Sequence, residues 1–455
     1  MTRKRRETFS TACSERLISL GNCLRIGIIG MGGFAGTHHD ALLRLEAVGE
    51  CRLVCTCDPN MDGFRPRRRD LDFAGRGVRL FADYLEMLDG CRDELDVVII
   101  PTPVPLHAPM HKACVERGLA VYLEKPPTLN WAELEEMLAV EARAGKLTNV
   151  GFNFTVDPQR QALKRRLVDG EFGAVQKVGV SALWPRSDRY YARAGWAGRL
   201  LTDGRLILDS CLGNAMAHHV YDALFWCGSG TLWEWGGIEE VSAELYRAHE
   251  IEGMDTVFLR AGTSRGIELD IAMSHACAGE PSNEEFVACE AASIQYRVLP
   301  GSLERIDTSY EIKWRDGRIE TGEEEAMNIV DMNLRAYFAY LRGEMDRPLN
   351  RLVDSRPFVH LNGLVYLAAK RITTVSADLT KKTTLPESGT FTSINAIAEA
   401  VQCFMTAGQF PSEQGLAWAA RGGRAIPGEL PSLEAVIEEM SKDVYKHSDS
   451  EISRR

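Results

Sequence analysis

Apolar and polar positions alternate in a regular way over the first third of the chain. Between residues 24 and 152, short apolar runs are separated by amphipathic stretches such as 108–117. This alternation is typical of strand-helix-strand units that build a parallel sheet. The predicted strands are 24–29, 51–57, 96–101, 119–123 and 147–152. We therefore expect half of a doubly wound α/β fold, or slightly more, in this region.

After residue 153 the pattern changes, because strand-like runs follow one another without helices between them. A helical stretch at 159–168 leads into predicted strands at 175–184, 241–246, 256–260, 267–273 and 293–298. Consecutive strands of this kind favour a mixed or antiparallel sheet, so we expect an α+β domain with one open sheet face. Helical periodicity returns at 327–341 and 358–372.

The last part of the chain has a mixed pattern. The polar stretch 380–388 is interpreted as a linker, and helices are predicted at 394–405 and 433–445, before a charged run at 449–455. The predicted organisation is an N-terminal extension at 1–22, a first domain at 23–150, a second domain at 151–376 and a helical C-terminal extension at 377–455.

Length and composition narrow the class of protein. A chain of 455 residues is too long for one ordinary core, which agrees with two domains. A formal net charge of -11 argues against a nucleic-acid or anionic-membrane partner, since both need a concentrated positive surface. No run approaches the roughly 18 apolar residues of a membrane span, and the basic residues at 2–6 precede no apolar run of signal-peptide length. A soluble cytoplasmic protein is expected.

The 12 cysteines are scattered and contain no Cys-x-x-Cys pair. Neither a disulfide framework nor a metal site is therefore expected, and buried reduced thiols are the simpler interpretation.

A glycine-rich turn directly follows the first predicted strand. Its Gly-x-Gly-x-x-Ala spacing is formed by Gly30, Gly32 and Ala35, and Gly33 and Phe34 lie between them. Small residues permit the tight turn, the approach of backbone to a pyrophosphate and close packing of helix on strand. The start of the following helix then offers free N–H groups to the phosphates. The first domain is accordingly predicted to be a dinucleotide-binding Rossmann domain.

Asp58 ends the second predicted strand, close to the spacing of about 20 residues at which a carboxylate meets the adenosine ribose hydroxyls. This carboxylate would repel a 2'-phosphate, so NAD is preferred to NADP. Four arginines follow, and a guanidinium that folds back could accept the phosphate, which keeps NADP as an alternative. They are Arg65, Arg67, Arg68 and Arg69.

The fourth predicted strand ends in Glu124-Lys125-Pro126, which places a lysine at the carboxyl edge of the sheet, where ligands of open α/β folds bind. Together with the glycine-rich turn, Asp58, and Thr102-Pro103 followed by His107, this tripeptide resembles the Gfo/Idh/MocA oxidoreductase family. The matches occur in order over the first 150 residues.

The resemblance implies a Rossmann domain that holds NAD or NADP and a second domain whose open sheet face supports the substrate and often an oligomer interface. Lys125 would then lie beside the nicotinamide ring, where its ammonium can hydrogen-bond a substrate hydroxyl and the charge of oxidised nicotinamide lowers its pKa. Glu124, Thr102, Pro103 and His107 would belong to the cofactor site. The resemblance also implies a cis peptide bond before Pro126.

Members of the family usually carry an Asp-x-x-x-His pair at the start of a helix in the second domain, and this chain departs from that pattern. In one register Asn214 takes the aspartate position and His218 the histidine position, four residues apart and on one helical face. In the other, His219 and Asp222 match the downstream half of the motif. The first register is preferred, although neutral Asn214 can only orient the ring, so Asp209 or Asp222 would have to supply a charge.

The resemblance therefore implies a sugar, inositol or polyol oxidoreductase in which His218 removes the hydroxyl proton with help from Lys125 while hydride leaves the carbinol carbon. Two other functions stay open: an NAD-dependent glycoside hydrolase that oxidises its substrate transiently, and a non-catalytic NAD-binding regulatory or scaffold protein. Further pocket candidates by family position are Asn153, Arg193, Trp196 and Asp209, and His219 is also expected to contact the substrate. A homo-oligomer through the second-domain sheet is expected, without a metal.

Overall fold

The computed structural model describes residues 23–299 and 305–452. The predicted extension at 1–22 lies outside the described residues. The first sheet has six parallel strands in the order β3-β2-β1-β4-β5-β6, as in a doubly wound dinucleotide-binding fold. Its strands are β1 (Leu24–Ile29), β2 (Cys51–Cys57), β3 (Arg79–Phe81), β4 (Val97–Ile100), β5 (Ala120–Leu123) and β6 (Asn149–Val150).

Helices connect these strands, and apolar residues of both layers form the core. The helices are α1 (Ala35–Ala47), α2 (Arg65–Asp70), α3 (Tyr84–Cys91), α4 (His107–Glu116) and α5 (Trp131–Glu141). Residues of β1, β2, β4 and β5 are almost entirely buried, because helices cover both faces of a parallel sheet. The five strands predicted from the apolar runs are therefore confirmed, and the short edge strand β3 is additional.

The second domain is built around a mixed sheet of ten strands among the described residues. Its order is β16-β15-β14-β13-β7-β12-β11-β10-β17, with β20 pairing with β10. The pairs β7–β12 and β10–β17 are parallel, whereas the other neighbours along this order are antiparallel. The strands are β7 (Val175–Leu183), β10 (Ile238–Arg247), β11 (Thr256–Thr263), β12 (Glu268–Ser274), β13 (Ser282–Cys289), β14 (Ala292–Leu299), β15 (Arg305–Trp314), β16 (Ile319–Asn328), β17 (Thr373–Thr374) and β20 (Gly423–Ala425), and a separate hairpin is formed by β8 (Leu201–Thr202) and β9 (Arg205–Leu206).

The helices of the second domain are α6 (Pro158–Val168), α7 (Asp188–Tyr191), α8 (Ala217–Cys227), α9 (Ile329–Leu341) and α10 (Arg356–Ala369). Of these, α8 and α10 pack on the large sheet, α9 contacts α1 of the first domain, and α7 contacts the segment 389–394. The expected α+β domain is confirmed, but the long strands β13, β15 and β16 and the short strands β8, β9, β17 and β20 were not predicted. Strand β16 carries glutamates at consecutive positions, so its sequence has no apolar alternation to detect.

The C-terminal part is not purely helical, and the interpretation of 380–388 as a linker is wrong. Residues 380–394 form a hairpin of β18 (Thr380–Leu385) and β19 (Gly389–Ile394), which was missed because most of β18 is polar and exposed. Two helices follow, α11 (Ile397–Ala407) and α12 (Leu433–Ile452), and β20 between them joins the large sheet.

This C-terminal part covers one face of the large sheet. Phe404 of α11 packs edge-on against Phe258 of β11, with ring centroids 5.5 Å apart, and Trp418 packs against Tyr246 of β10 at 5.0 Å. The expected open face is thus wrong for β10 and β11. On β14, buried and exposed residues alternate, so that strand keeps an uncovered face. A homo-oligomer contact through this uncovered part stays a prediction.

No helix among the described residues is both long and apolar enough to cross a membrane. The two domains meet around a cavity at the carboxyl ends of the first-domain strands, where open α/β sheets bind their ligands.

Candidate functional site

A cavity of about 1000 Å³ lies between the two domains and collects most of the predicted site residues. The predicted residues that line it are Gly30, Gly32, Gly33, Phe34, Asp58, Thr102, Pro103, Glu124, Lys125, Asn153, Arg193, Trp196, Asn214, His218 and His219. Three other predicted residues, Ala35, His107 and Asp209, are buried behind this lining.

The glycine-rich turn has the conformation that the sequence motif requires. Gly30 and Gly33 have φ angles of 113° and 57°, which residues with a side chain rarely adopt. A Cβ atom at Gly30 would lie 3.7 Å from the Cβ of Ala35, an ordinary contact, so the backbone conformation rather than crowding requires glycine there. Within the described chain, the backbone N–H groups of Gly32, Gly33 and Phe34 have no hydrogen-bond partner. They line the cavity at the start of a 13-residue helix, an arrangement suited to a pyrophosphate.

Asp58 fixes the turn from the end of β2. One carboxylate oxygen accepts the Met31 N–H at 3.0 Å, and the other accepts the Asn60 N–H at 2.8 Å. The four arginines that follow Asp58 are not among the described residues that line the cavity. Arg65 pairs with Asp62 at 3.1 Å and Arg67 with Asp40 at 2.6 Å. The geometry thus leaves a carboxylate, without a guanidinium, at the expected ribose position.

Glu124 is buried next to Lys125 and has two partners. Its carboxylate contacts Nε2 of His38 at 2.9 Å and accepts the Lys125 N–H at 3.1 Å. A Cβ at Gly151 would lie 2.7 Å from the carboxylate, so only glycine fits there. The Lys125–Pro126 peptide bond is cis, as the resemblance implied. His38 and Gly151 were not predicted as site residues, because their contacts to Glu124 join segments far apart in the sequence.

Lys125 reaches from the first domain to the second. Its Nζ donates to the backbone carbonyl of Asn214 at 3.0 Å. Burial lowers the pKa of Lys125 from its usual value, while the neighbouring carboxylates of Glu124 and Asp209 oppose this effect. The site therefore holds an amine whose pKa is lower than that of a lysine in water.

Asn214 forms no hydrogen bond with His218, although the helical spacing predicted that it would orient this ring. Its side-chain amide donates to Asp209 at 2.7 Å. Residues 211–215 form a wide π-helical turn, in which the Met216 N–H bonds the Cys211 carbonyl at 3.2 Å, and α8 begins only at Ala217. The expected orientation of the His218 ring by Asn214 is therefore wrong, because the two residues do not belong to one continuous α-helix.

Asp209 supplies the carboxylate that this chain lacks at the aspartate position of the family motif. It is buried behind the residues that line the cavity. It accepts the Gly198 N–H at 2.7 Å in addition to the Asn214 amide, and Arg193 lies 3.6 Å away. Burial raises the pKa of Asp209, and these donors oppose the shift.

His218 lies at the cavity with one ring nitrogen occupied. Its Nδ1 accepts the backbone N–H of Asn153 at 3.2 Å, and its ring stacks on Phe154 with centroids 4.7 Å apart. Burial, followed by the positive charge of Lys125, lowers the pKa of His218 well below its usual value. The ring is therefore neutral, and because Nδ1 is an acceptor, its proton is on Nε2.

His219 belongs to a different cluster. Its Nδ1 lies 3.3 Å from Glu285, whose carboxylate also binds Arg160 at 2.5 Å, and Asp222 lies 3.3 Å from the same guanidinium. Although burial alone would raise the pKa of Glu285, the charge of Arg160 and the contact with His219 hold it well below its usual value. His219, Asp222 and Glu285 are close enough to hold a metal ion. Arg160 already pairs with both carboxylates, so the group is best described as a buried ion cluster.

The remaining predicted residues lie at the edges of the cavity or support it. His107 contacts the carbonyls of Thr102 at 2.8 Å and Pro126 at 2.9 Å, which ties the loop after β4 to the turn at Lys125. Trp196 lies under the guanidinium of Arg193, 4.9 Å from the ring centroid.

The cavity lining also contains residues that were not predicted, among them Trp184, Arg186 and Tyr190. They follow the end of β7, the strand that lies between β12 and β13. The aromatic and arginine residues directly after a long predicted strand were the available signal for this part of the site.

Comparison with known proteins places the first domain. A family model described as an oxidoreductase family with an NAD-binding Rossmann fold matches residues 24–152. This region belongs to the Gfo/Idh/MocA oxidoreductase family. The match covers the glycine-rich turn, Asp58 and Glu124-Lys125-Pro126, on which the resemblance rested.

Curated relatives match the same region. Inositol 2-dehydrogenase 4 of Saccharopolyspora erythraea is 32% identical over 152 residues, which are 33% of this chain and 42% of that protein. Inositol 2-dehydrogenase of Rhodococcus jostii is 32% identical over 159 residues, which are 35% of this chain and 41% of that protein. The chain thus spans about two fifths of the length of these two Gfo/Idh/MocA relatives.

Solved structures extend the similarity of the fold to the second domain. The WlbA dehydrogenase from Chromobacterium violaceum, solved with NADH and UDP-GlcNAcA, has a TM-score of 0.59 at 24% identity, covering 76% of this chain and 93% of that one. At this identity the likeness concerns the fold alone, and it supports the two-domain architecture described above.

Proposed function

We propose that the protein is an NAD-dependent oxidoreductase that transfers a hydride between the nicotinamide and a carbinol carbon of a sugar, inositol or related polyol. The observation that carries this proposal is the meeting of Lys125 and His218, from two domains, at the cavity that also contains the glycine-rich turn. The curated relatives named inositol 2-dehydrogenases support the substrate class.

The residues of the first domain fit a dinucleotide. The free N–H groups of Gly32, Gly33 and Phe34 would bind the pyrophosphate, and Asp58 would accept hydrogen bonds from the adenosine ribose. When bound, NAD supplies the hydride acceptor for oxidation of the alcohol. The lack of an arginine at this edge of the cavity supports NAD rather than NADP.

Lys125 is assigned the proton transfer. Because burial disfavours its ammonium form, the amine is poised to accept the hydroxyl proton as hydride leaves the adjacent carbon. The Asn214 carbonyl holds Nζ in place through one hydrogen bond. In the reductive direction the same residue returns the proton to the alkoxide oxygen.

His218 is assigned to positioning of the hydroxyl oxygen. Its neutral ring carries the proton on Nε2, since Nδ1 accepts the Asn153 N–H, so the free nitrogen is a donor. A donor can hydrogen-bond the substrate oxygen and stabilise its developing negative charge, but it cannot accept the hydroxyl proton. From the sequence, His218 was expected to remove the proton. The hydrogen bond from Asn153 favours another assignment, in which Lys125 accepts the proton and His218 binds the oxygen.

The proposal is tested with purified protein, NAD or NADP, and a panel of hexoses, inositols and sugar acids. We expect formation of reduced cofactor, measured at its absorbance, together with an oxidised product of equal amount. Release of a sugar from a glycoside without net cofactor reduction would instead establish the glycosidase alternative. Tight NAD binding without either reaction would establish the non-catalytic alternative. The family motif has an aspartate where this chain has Asn214. Because Asn214 donates to the carboxylate of Asp209, the site still contains a carboxylate at this place, which argues against the non-catalytic alternative.

A further inference from the structure

Arg186 lines the cavity, and its charge is not paired with an acidic side chain of the described residues. Its guanidinium makes no hydrogen bond or ion pair with any described residue, and its Nε is buried without an acceptor. Buried donors of charged groups are nearly always paired, since an unpaired one is costly to remove from water. The side chain therefore has the features of a binding group whose partner is a ligand.

The position of Arg186 is fixed by its surroundings. Its backbone N–H donates to the His275 carbonyl at 3.2 Å, and its own carbonyl contacts Nε2 of His249 at 3.1 Å. The guanidinium lies 4.9 Å from the ring centroid of Tyr190 and 5.7 Å from that of Trp184. Contacts with aromatic faces restrict the plane of the guanidinium and leave its N–H edges free for oxygen atoms.

Arg193 provides an internal comparison. It also lies over Tyr190, at 3.8 Å, but it donates to the Tyr190 carbonyl at 2.6 Å and lies 3.6 Å from Asp209. Its charge is thus balanced by the protein, whereas that of Arg186 is not. The nearby His275 does not add a charge, because burial lowers its pKa to about 3.

We propose, on the basis of the function proposed above, that Arg186 binds an anionic oxygen group of the substrate, so that the enzyme acts on an acidic sugar rather than a neutral one. A carboxylate or a phosphate presents two oxygens to the fork of a guanidinium and forms paired, charge-assisted hydrogen bonds. Trp184 and Tyr190 provide the aromatic walls, and Lys125 lines the same cavity with the group that reacts.

The test compares glucose, glucuronate and glucose 6-phosphate, which share the same sugar ring. Glucose is neutral, glucuronate carries a carboxylate, and glucose 6-phosphate carries a phosphate. For the unaltered enzyme we expect kcat/KM for one of the two anions to exceed that for glucose at least about tenfold. The variant Arg186→Met should lose about 10- to 100-fold in kcat/KM for that anion, with no comparable change for glucose. Arg186→Lys, which keeps the charge but not the fork, should lie between them.

Arg166→Met is the matched control, because Arg166 lies away from the cavity, where it pairs with Glu171 at 2.8 Å and with Glu320 at 2.6 Å, and its replacement removes the same charge. Calorimetric titration of the NADH-loaded protein with each of the three compounds gives a readout independent of turnover. If only glucuronate depends on Arg186 for binding and turnover, the group that Arg186 binds is a carboxylate. If only glucose 6-phosphate depends on it, the group is a phosphate. Both results support the proposal.

The proposal is overturned if glucose is the preferred compound, or if Arg186→Met weakens glucose and both anions equally. Binding of an anion that depends on Arg186, without cofactor reduction by any compound, would support the anion site and contradict the proposed oxidoreductase function. Thermal unfolding of each variant and its NADH affinity, which we expect within about twofold of the parent, separate loss of the site from loss of the fold.

Discussion

Nζ of Lys125 donates a hydrogen bond of 3.0 Å to the backbone carbonyl of Asn214, and this contact links the two domains at the cavity. A backbone acceptor can hold the amine in position without fixing its charge, in contrast to a carboxylate, which would stabilise the ammonium. Together with burial, which lowers the pKa of Lys125, the contact makes this lysine a suitable group for proton exchange.

The variant Lys125→Met should fold and bind NADH but lose kcat by about 10²- to 10⁴-fold, the usual contribution of a general acid or base. Methionine retains most of the apolar length of lysine, so packing is little disturbed. Steady-state rates and a fluorescence titration with NADH measure the two effects. Lys112→Met is the control, since Lys112 is exposed on α4 and pairs with Glu116 at 3.9 Å. Full turnover by Lys125→Met would refute the assignment.

The pH dependence of alcohol oxidation should report the lowered pKa of Lys125. Oxidation needs the neutral amine, so kcat/KM should rise about tenfold per pH unit and level off at a pH below the ordinary lysine value of 10.5. Reduction needs the ammonium form and should fall over the same range. The variant His218→Gln should lower the rate but keep the inflection. Loss of the inflection in that variant would instead identify His218 as the proton acceptor.

Preference for NAD should depend on Asp58. Its carboxylate lies at the end of β2 and would repel the 2'-phosphate of NADP. In Asp58→Ser the ratio of kcat/KM for NADP to that for NAD should increase at least about tenfold, because a like-charge contact costs several kcal/mol. Asp62→Ser, on the exposed side of the same loop and paired with Arg65 at 3.1 Å, should leave the ratio unchanged. An unchanged ratio in Asp58→Ser would show that another group reads the ribose.

The sequence predicted the first domain well because each of its features is local. Strand, glycine turn and helix follow one another in the chain, and Asp58 and Lys125 lie at strand ends that a parallel sheet brings to one edge. The second domain was predicted less well because its contacts are distant. For example, Gly213 lies so close to Leu129 that a Cβ on it would be 2.8 Å from this side chain. The wide turn at 211–215 that contains Gly213 separates Asn214 from the helix of His218. Helical spacing alone does not reveal such a turn.

The roles of Arg186 and of the C-terminal part also depend on contacts that a local sequence pattern does not reveal. An arginine after a strand is usually a surface residue, and only the packing of Trp184 and Tyr190 beside it gives it a site. The hairpin at 380–394 has too few apolar residues for a strand pattern, and it is recognised by its pairing rather than by its sequence.

Stability should depend on the buried pair of Arg160 and Glu285, whose side chains are fully buried. Removal of one partner leaves an uncompensated charge, so Glu285→Gln should lower the free energy of unfolding by about 3–5 kcal/mol. The neighbouring Glu284 is a matched control, because it pairs with Arg297 at the surface and Glu284→Gln should cost less than about 1 kcal/mol. Urea unfolding measures both. Equal effects of the two substitutions would contradict the described burial.

The covering of the large sheet by α11 leads to the last prediction. Phe404 is fully buried between α11 and β11, where its ring meets Phe258 edge-on. The variant Phe404→Ala should lower the free energy of unfolding by about 3–5 kcal/mol, through lost burial and the cavity left behind. Gln402→Ala, on the exposed side of the same helix, should change it by less than about 0.5 kcal/mol. Because Phe404 lies on the opposite face of the sheet from Lys125, NADH affinity of the folded variant should be unchanged. A neutral Phe404→Ala would mean that the C-terminal part does not pack on the sheet in solution.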